Sequence, residues 1–137
     1  MQRTAYVYLL TLLVFLALDA VWLGAVAKGF YKRHLGHLMT PDINWAAALL
    51  FYLLYIAAIL VFVTVPAARS GSPARAVLLG AFLGLVAYAT YDLTNLATLK
   101  DWPVIVTVVD LIWGATLTSA VSAASFFIAR GVGWRLD

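Results

Sequence analysis

Three carboxyl groups interrupt the longest apolar runs of this sequence: Asp19, Asp92 and Asp110. An ionised carboxylate is expensive in such a run, and no Lys or Arg lies inside one to neutralise it. Acidic groups in that setting can exchange protons or coordinate a cation. They can also work as a paired general acid and base where their surroundings differ. The plainer role is to hydrogen-bond one helix to another.

The neighbours of the three aspartates suggest a shared polar site. Tyr88, Asp92 and Asn95 follow at spacings of four and three, which stacks them on one helical face. Asp110, Gly114, Thr118 and Ser122 recur every four residues, and Thr107 precedes Asp110 by about one turn. Trp22 follows Asp19 by about a turn, and Trp113 stands in the same relation to Asp110. The candidate binding site is therefore Asp19, Asp92, Asp110, Asn95, Tyr88, Thr107, Trp22 and Trp113. Asn44, Tyr52 and Tyr55 are the polar contributions of the remaining apolar run. Gly80 and Gly84 form a GxxxG step leading to Tyr88, a face able to approach another helix closely.

Four elements must position these groups. The 137 residues are 65% hydrophobic and 11% charged, with no Glu, and a soluble domain of this size cannot bury so much apolar surface. Crossing a bilayer takes about 20 apolar residues of helix. The stretches Ala5 to Ala27, Asn44 to Val65, Ala74 to Leu99 and Val104 to Ala129 qualify. Turn-forming residues from Pro66 to Pro73 separate the second from the third, and Lys100 to Pro103 the third from the fourth. The runs are too long for strands and lack a period of two. Lys28 to Asp42 mixes large apolar residues with Lys32, Arg33, His34 and His37, and reads as a short interfacial helix. The expected fold is an all-α integral membrane protein of one domain, residues 1–137: a four-transmembrane-helix bundle with an interfacial helix between helices 1 and 2.

This layout places the aspartates at matching depth. Asp19 lies eight residues before Ala27, Asp92 seven before Leu99, and Asp110 six after Val104. At 1.5 Å per residue, each is roughly 9–12 Å below the surface that carries the Lys28–Asp42 segment. Ala25-Val26-Ala27 resembles a signal cleavage site, but the preceding run is long and contains Asp19, so the first helix is expected to stay. Arg3, Arg69, Arg75, Arg130 and Arg135 share one side, and Lys28, Lys32, Arg33 and Lys100 the other. The excess of a single charge points both termini to the cytoplasm.

Other chemistry is thinly represented. Without Cys, disulfides and thiolate metal sites are excluded. His34 and His37 could share a metal from one helical face, although such a pair in a basic segment is more often a solvated surface. Trp22, Trp45, Trp102 and Trp134 lie where interfacial anchors belong. The thinly spread basic residues suit anionic lipid headgroups and not nucleic acid. No cofactor is indicated.

The segments Leu18-Asp19-Ala20-Val21-Trp22-Leu23-Gly24, Phe30-Tyr31, Leu35-Gly36, Tyr91-Asp92-Leu93-Thr94-Asn95 and Asp110-Leu111-Ile112-Trp113-Gly114 resemble the signature of a bacterial family. Its members are small four-span predicted inner-membrane proteins, filed as a domain of unknown function. The resemblance covers nearly the whole chain and implies a bacterial inner-membrane location. It implies no activity.

The function expected from these residues is binding or moving a proton, a cation or a small polar solute. A homodimer, in contact through Gly80 and Gly84, or another membrane partner would complete so small a pathway. The alternatives are a membrane enzyme acting on a lipid or isoprenoid headgroup, and an accessory subunit of a larger membrane complex. No known catalytic motif supports the enzyme.

Overall fold

In the computed structural model, which describes residues 2–134, the chain is all helical among the described residues. The long helices are α1 (Gln2–Val26), α3 (Trp45–Ser70), α4 (Pro73–Thr98) and α5 (Val104–Gly131), each long and apolar enough to cross a membrane. The short α2 (Lys28–Leu35) stands between the first two. Large apolar side chains such as Leu9, Leu50, Phe62, Leu78, Phe82 and Ile112 are exposed around the bundle. Soluble monomers rarely leave so many uncovered, whereas lipid covers them without cost. The protein is a multi-pass membrane protein.

Local chemistry sets the helix ends. Asn44 accepts a hydrogen bond from the Ala47 amide at 3.1 Å, and Ser72 accepts one from the Arg75 amide at 3.2 Å. Pro73 occupies the first turn of α4, where its missing donor is harmless. Gly71, at φ 63°, makes the left-handed residue that turns the chain from α3 into α4.

Helix α3 runs on through Pro66, where the sequence places the end of its apolar run. Proline removes a backbone donor, and its ring presses on the carbonyl four residues earlier. The turn just before it, Leu60–Thr64, is widened to a π-turn, and the Val65 amide bonds Leu60 five residues back. That widening relieves the crowding and lets the helix continue.

The tightest packing joins α4 to α5. Neither Gly80, against Ser122 and Thr118, nor Gly84, against the Gly114 carbonyl, has room for a Cβ. Gly114 in turn receives the Tyr88 ring. The expectation that Gly80 and Gly84 form a contact between two chains is thus corrected. They are consumed inside the bundle, because the small α5 stripe of Gly114, Thr118 and Ser122 already fills their groove.

Phe15, Ile56, Ile59, Leu117 and Val121 form the core with the second half of α3. No residue of α3 before Tyr55 is buried, although Tyr8 holds this first half to α1 by donating to the Leu53 carbonyl at 2.8 Å. The first half of α3 therefore leaves space between itself and α5. Two of the expected anchors are also not free at the surface. Trp102 is buried with its indole N–H donating to Thr107 at 3.0 Å, and Trp134 is buried donating to Thr4 at 2.9 Å. Trp45, by contrast, is 72% exposed.

Candidate functional site

The space beside the first half of α3 is a cavity of about 620 Å³. Every helix contributes to its wall: Asp19 and Trp22 from α1, Tyr31 from α2, Phe51 and Tyr52 from α3, Tyr88 and Tyr91 from α4, Asp110 and Trp113 from α5. Its volume falls in the range of roughly 300–1,000 Å³ usual for sites that take small organic molecules. Among the described residues the wall is mainly aromatic and aliphatic, with two carboxyl groups and no Lys, Arg or His.

Each carboxylate on the wall has its own tyrosine. Tyr52 donates to Asp19 Oδ2 at 2.9 Å. Tyr31 donates to Asp110 Oδ1 and accepts from the Trp22 indole N–H at 3.0 Å. Burial pushes the Tyr31 hydroxyl above the ordinary tyrosine value, and its bond to Asp110 adds to that shift, so it remains a donor. Tyr88 lines the same cavity as the two carboxylates.

The indoles of Trp22 and Trp113 stack with centroids 4.2 Å apart and planes 9° apart. Both follow an aspartate by three residues, on helices that run in opposite directions. The pair ties α1 to α5 beside the carboxylates. The Trp113 indole nitrogen is buried with no hydrogen-bond partner among the described residues.

Asp92 is placed differently. It is 0% exposed and lies behind the cavity wall, within hydrogen-bonding reach of the Asp110 carboxyl. Neither of its oxygens meets a donor among the described residues. Two ionised carboxylates can only accept, so this approach becomes a hydrogen bond only when one of them carries a proton.

The three aspartates thus divide into a pair, Asp92 and Asp110, and a single residue, Asp19, bonded to Tyr52. Of the other expected site residues, Tyr88, Trp22 and Trp113 line the cavity. Thr107 is held by Trp102 and does not reach it. Asn95 is half-buried beside Tyr91, outside the lining. His34 turns its ring back to the Phe30 carbonyl at 2.9 Å, and His37 is exposed. Among the described residues no three His, Cys, Asp or Glu side chains gather as a metal site.

Sequence reasoning overlooked Tyr31 and gave Tyr52 no partner. Tyr31 reads as one more apolar residue of an interfacial helix. Its role depends on a bend at Ala27, after which Tyr31 on α2 meets Trp22, nine residues earlier. The available signal was a tyrosine at a position where a basic amphipathic surface helix has no need of one.

No curated protein and no solved structure matches this chain. Residues 4–127 match the model of a family described as predicted membrane protein, DUF2177, a domain of unknown function, and the chain belongs to that family.

Proposed function

We propose that the cavity binds a small organic cation from within the membrane, as the binding step of a carrier. The reading rests on one observation: Asp19 and Asp110 open into an aromatic cavity that, among the described residues, no basic side chain lines. An ammonium ion carrying apolar groups matches both features. Its charge faces the carboxylates while its carbon surface lies against Phe15, Phe51 and the indole pair. Aromatic faces attract such a cation, by roughly 0.5–2 kcal/mol each. A strongly hydrated inorganic ion would find too few oxygen ligands here, since Ca²⁺ takes about 6–8 and Mg²⁺ near-ideal octahedral geometry.

Orientation belongs to the same reading. Arg3, Arg69, Arg75 and Arg130 lie at the end opposite α2, which supports cytoplasmic termini and a cavity mouth on the far side. A bacterial inner membrane fits the resemblance described above.

The test is binding of benzyltrimethylammonium to the purified protein in nanodiscs, read by tryptophan emission. Saturable binding is expected, weakened about tenfold or more by Asp110→Asn or Asp19→Asn, as for loss of a charge partner worth 1.4 kcal/mol. The uncharged isostere neopentylbenzene should bind far less. Equal binding of the two probes, or unchanged binding in both variants, would overturn the reading.

A further inference from the structure

Asp92 is fully buried, and the cavity makes no direct use of it. Among the described residues both of its oxygens lack a donor, and a second carboxyl, that of Asp110, lies within reach. The charged and titratable groups that face it are Asp110 from α5, Tyr31 from α2 and Tyr91 on α4 itself. Among the described residues no Lys, Arg or His faces it. An unbonded carboxylate is not tolerated in such a place, because burial without a partner costs several kcal/mol. A metal ion is a poor remedy: among the described residues no three His, Cys, Asp or Glu side chains gather here, and two carboxyls with the neutral phenols of Tyr31 and Tyr91 are a weak donor set for a hard cation that takes about 6–8 oxygens, as Ca²⁺ does. The missing partner is a proton.

The geometry points to a proton-exchange site built from Asp92 and Asp110, in which Asp92 keeps its proton and Asp110 trades its own for the cation. This rests on the cation reading of the cavity. Asp110 faces two ways: it lines the cavity and it meets Asp92. In the empty site both carboxyls carry a proton and bond each other reciprocally, while Tyr31 donates to Asp110 Oδ1. When the cation arrives, the Asp110 O–H bond breaks, its proton leaves to solvent, and the carboxylate left behind pairs with the cation. Asp92, still protonated, donates its O–H to that carboxylate. One positive charge enters and one leaves, so the net charge of the site is the same before and after. Asp92 is then a positioning residue: it acts on the cation only through Asp110.

A quaternary ammonium has no proton to lose, so any proton released on binding comes from the protein. Calorimetric titration of the nanodisc-embedded protein with benzyltrimethylammonium, in buffers of different ionisation enthalpy, counts those protons. The wild type should release close to one per cation bound, and apparent affinity should rise about tenfold per pH unit where Asp110 is protonated. Asp92→Asn should retain binding and release, because an amide N–H can replace the carboxyl O–H as donor. Asp92→Leu should weaken binding at least tenfold. Asp110→Asn should release none. Infrared difference spectra, loaded minus empty, should lose the carboxylic C=O band that Asp110→Asn removes and keep the band that Asp92→Asn removes. Saturable binding without proton release overturns the exchange, as does Asp92→Asn abolishing release while binding persists. Absence of any saturable binding in the wild type refutes the cation reading itself, which separates the two failures.

Discussion

Tyr31 and Asp110 join the short helix α2 to the last span: the Tyr31 hydroxyl donates to Asp110 Oδ1 and accepts from Trp22. A residue of the segment between two spans thereby closes over a carboxylate set six residues into α5. Tyr31→Phe keeps the ring and deletes both bonds. A hydrogen bond between neutral groups contributes about 0.5–1.5 kcal/mol, so α2 should open more often by a factor of about two to ten. Amide hydrogen exchange across Lys28–Leu35 measures this, and exchange in the middle of α5 should stay unchanged.

The α4–α5 contact gives a sharper steric prediction. Gly84 meets the Gly114 carbonyl with no space for a methyl group, whereas Gly24 and Gly29 face open space. Gly84→Ala must separate two backbones, and overpacking of this kind costs about 1–3 kcal/mol or more. Gly29→Ala should be neutral or slightly stabilising, since Ala exceeds Gly in helix propensity by about 1 kcal/mol. Thermal unfolding in detergent, compared between the two variants, checks the difference. Because Gly84 is inside the bundle, its substitution should reduce stability equally at low and high protein concentration.

The stacked Trp22 and Trp113 rings predict an optical signature. Two indoles with centroids 4.2 Å apart couple electronically, giving a paired positive and negative band in the tryptophan circular dichroism. Trp22→Phe or Trp113→Phe alone should abolish the couplet, since neither ring can produce it by itself. Trp45→Phe, an exposed residue, should leave it intact. An aromatic pair adds about 0.5–1.5 kcal/mol beyond burial, so either variant at the stack should also loosen α1 from α5.

Ser125 tests the plainer role of polar groups between helices. It receives a hydrogen bond from Thr11 at 2.9 Å and shares another with Thr64 at 2.9 Å, all three side chains being fully buried. Both threonines have a fallback: Thr11 also reaches the Val7 carbonyl at 2.7 Å, and Thr64 the Ile59 carbonyl at 3.3 Å. Ser125→Ala should therefore cost about 0.6 kcal/mol, the usual value for interhelical bonds in membranes. A loss above about 2 kcal/mol in reversible unfolding would show that this network holds more than packing.

How far the sequence exposed the molecule follows from which forces are local. Apolar length and Pro/Gly punctuation specify the four long helices, and these are the features a single sequence displays. The helix across Pro66 was hidden because the π-turn at Leu60–Thr64 has no sequence signature of its own. Spacing on one helix placed Tyr88 with the aspartates, since one helical face is a local property. It also put Asn95 with them, although rotation about α4 leaves that side chain beside Tyr91. Tyr31 and Tyr52 reach their carboxylates from other helices, across 79 and 33 residues of chain. Contacts of that range depend on how the helices pack, which spacing along one helix cannot report.

The Tyr31–Asp110 contact also carries a pH prediction whose sign is fixed. Burial, and then the hydrogen bond to Asp110, raises the Tyr31 hydroxyl above the ordinary value of 10.0, with the Trp22 N–H opposing in part. A group raised in the folded state contributes stability that is fully present below its unfolded value and is lost as pH rises through the folded one. The latch should therefore hold at neutral pH and at pH about 10, where an unshifted tyrosine is half ionised. The tyrosinate absorbance of the wild type minus that of Tyr31→Phe measures this residue alone. It should be close to zero at pH 10 and grow only at higher pH, together with faster exchange of the α2 amides after correction for base catalysis. A half-maximal tyrosinate difference at pH 10 would mean that Tyr31 is solvated and does not hold Asp110.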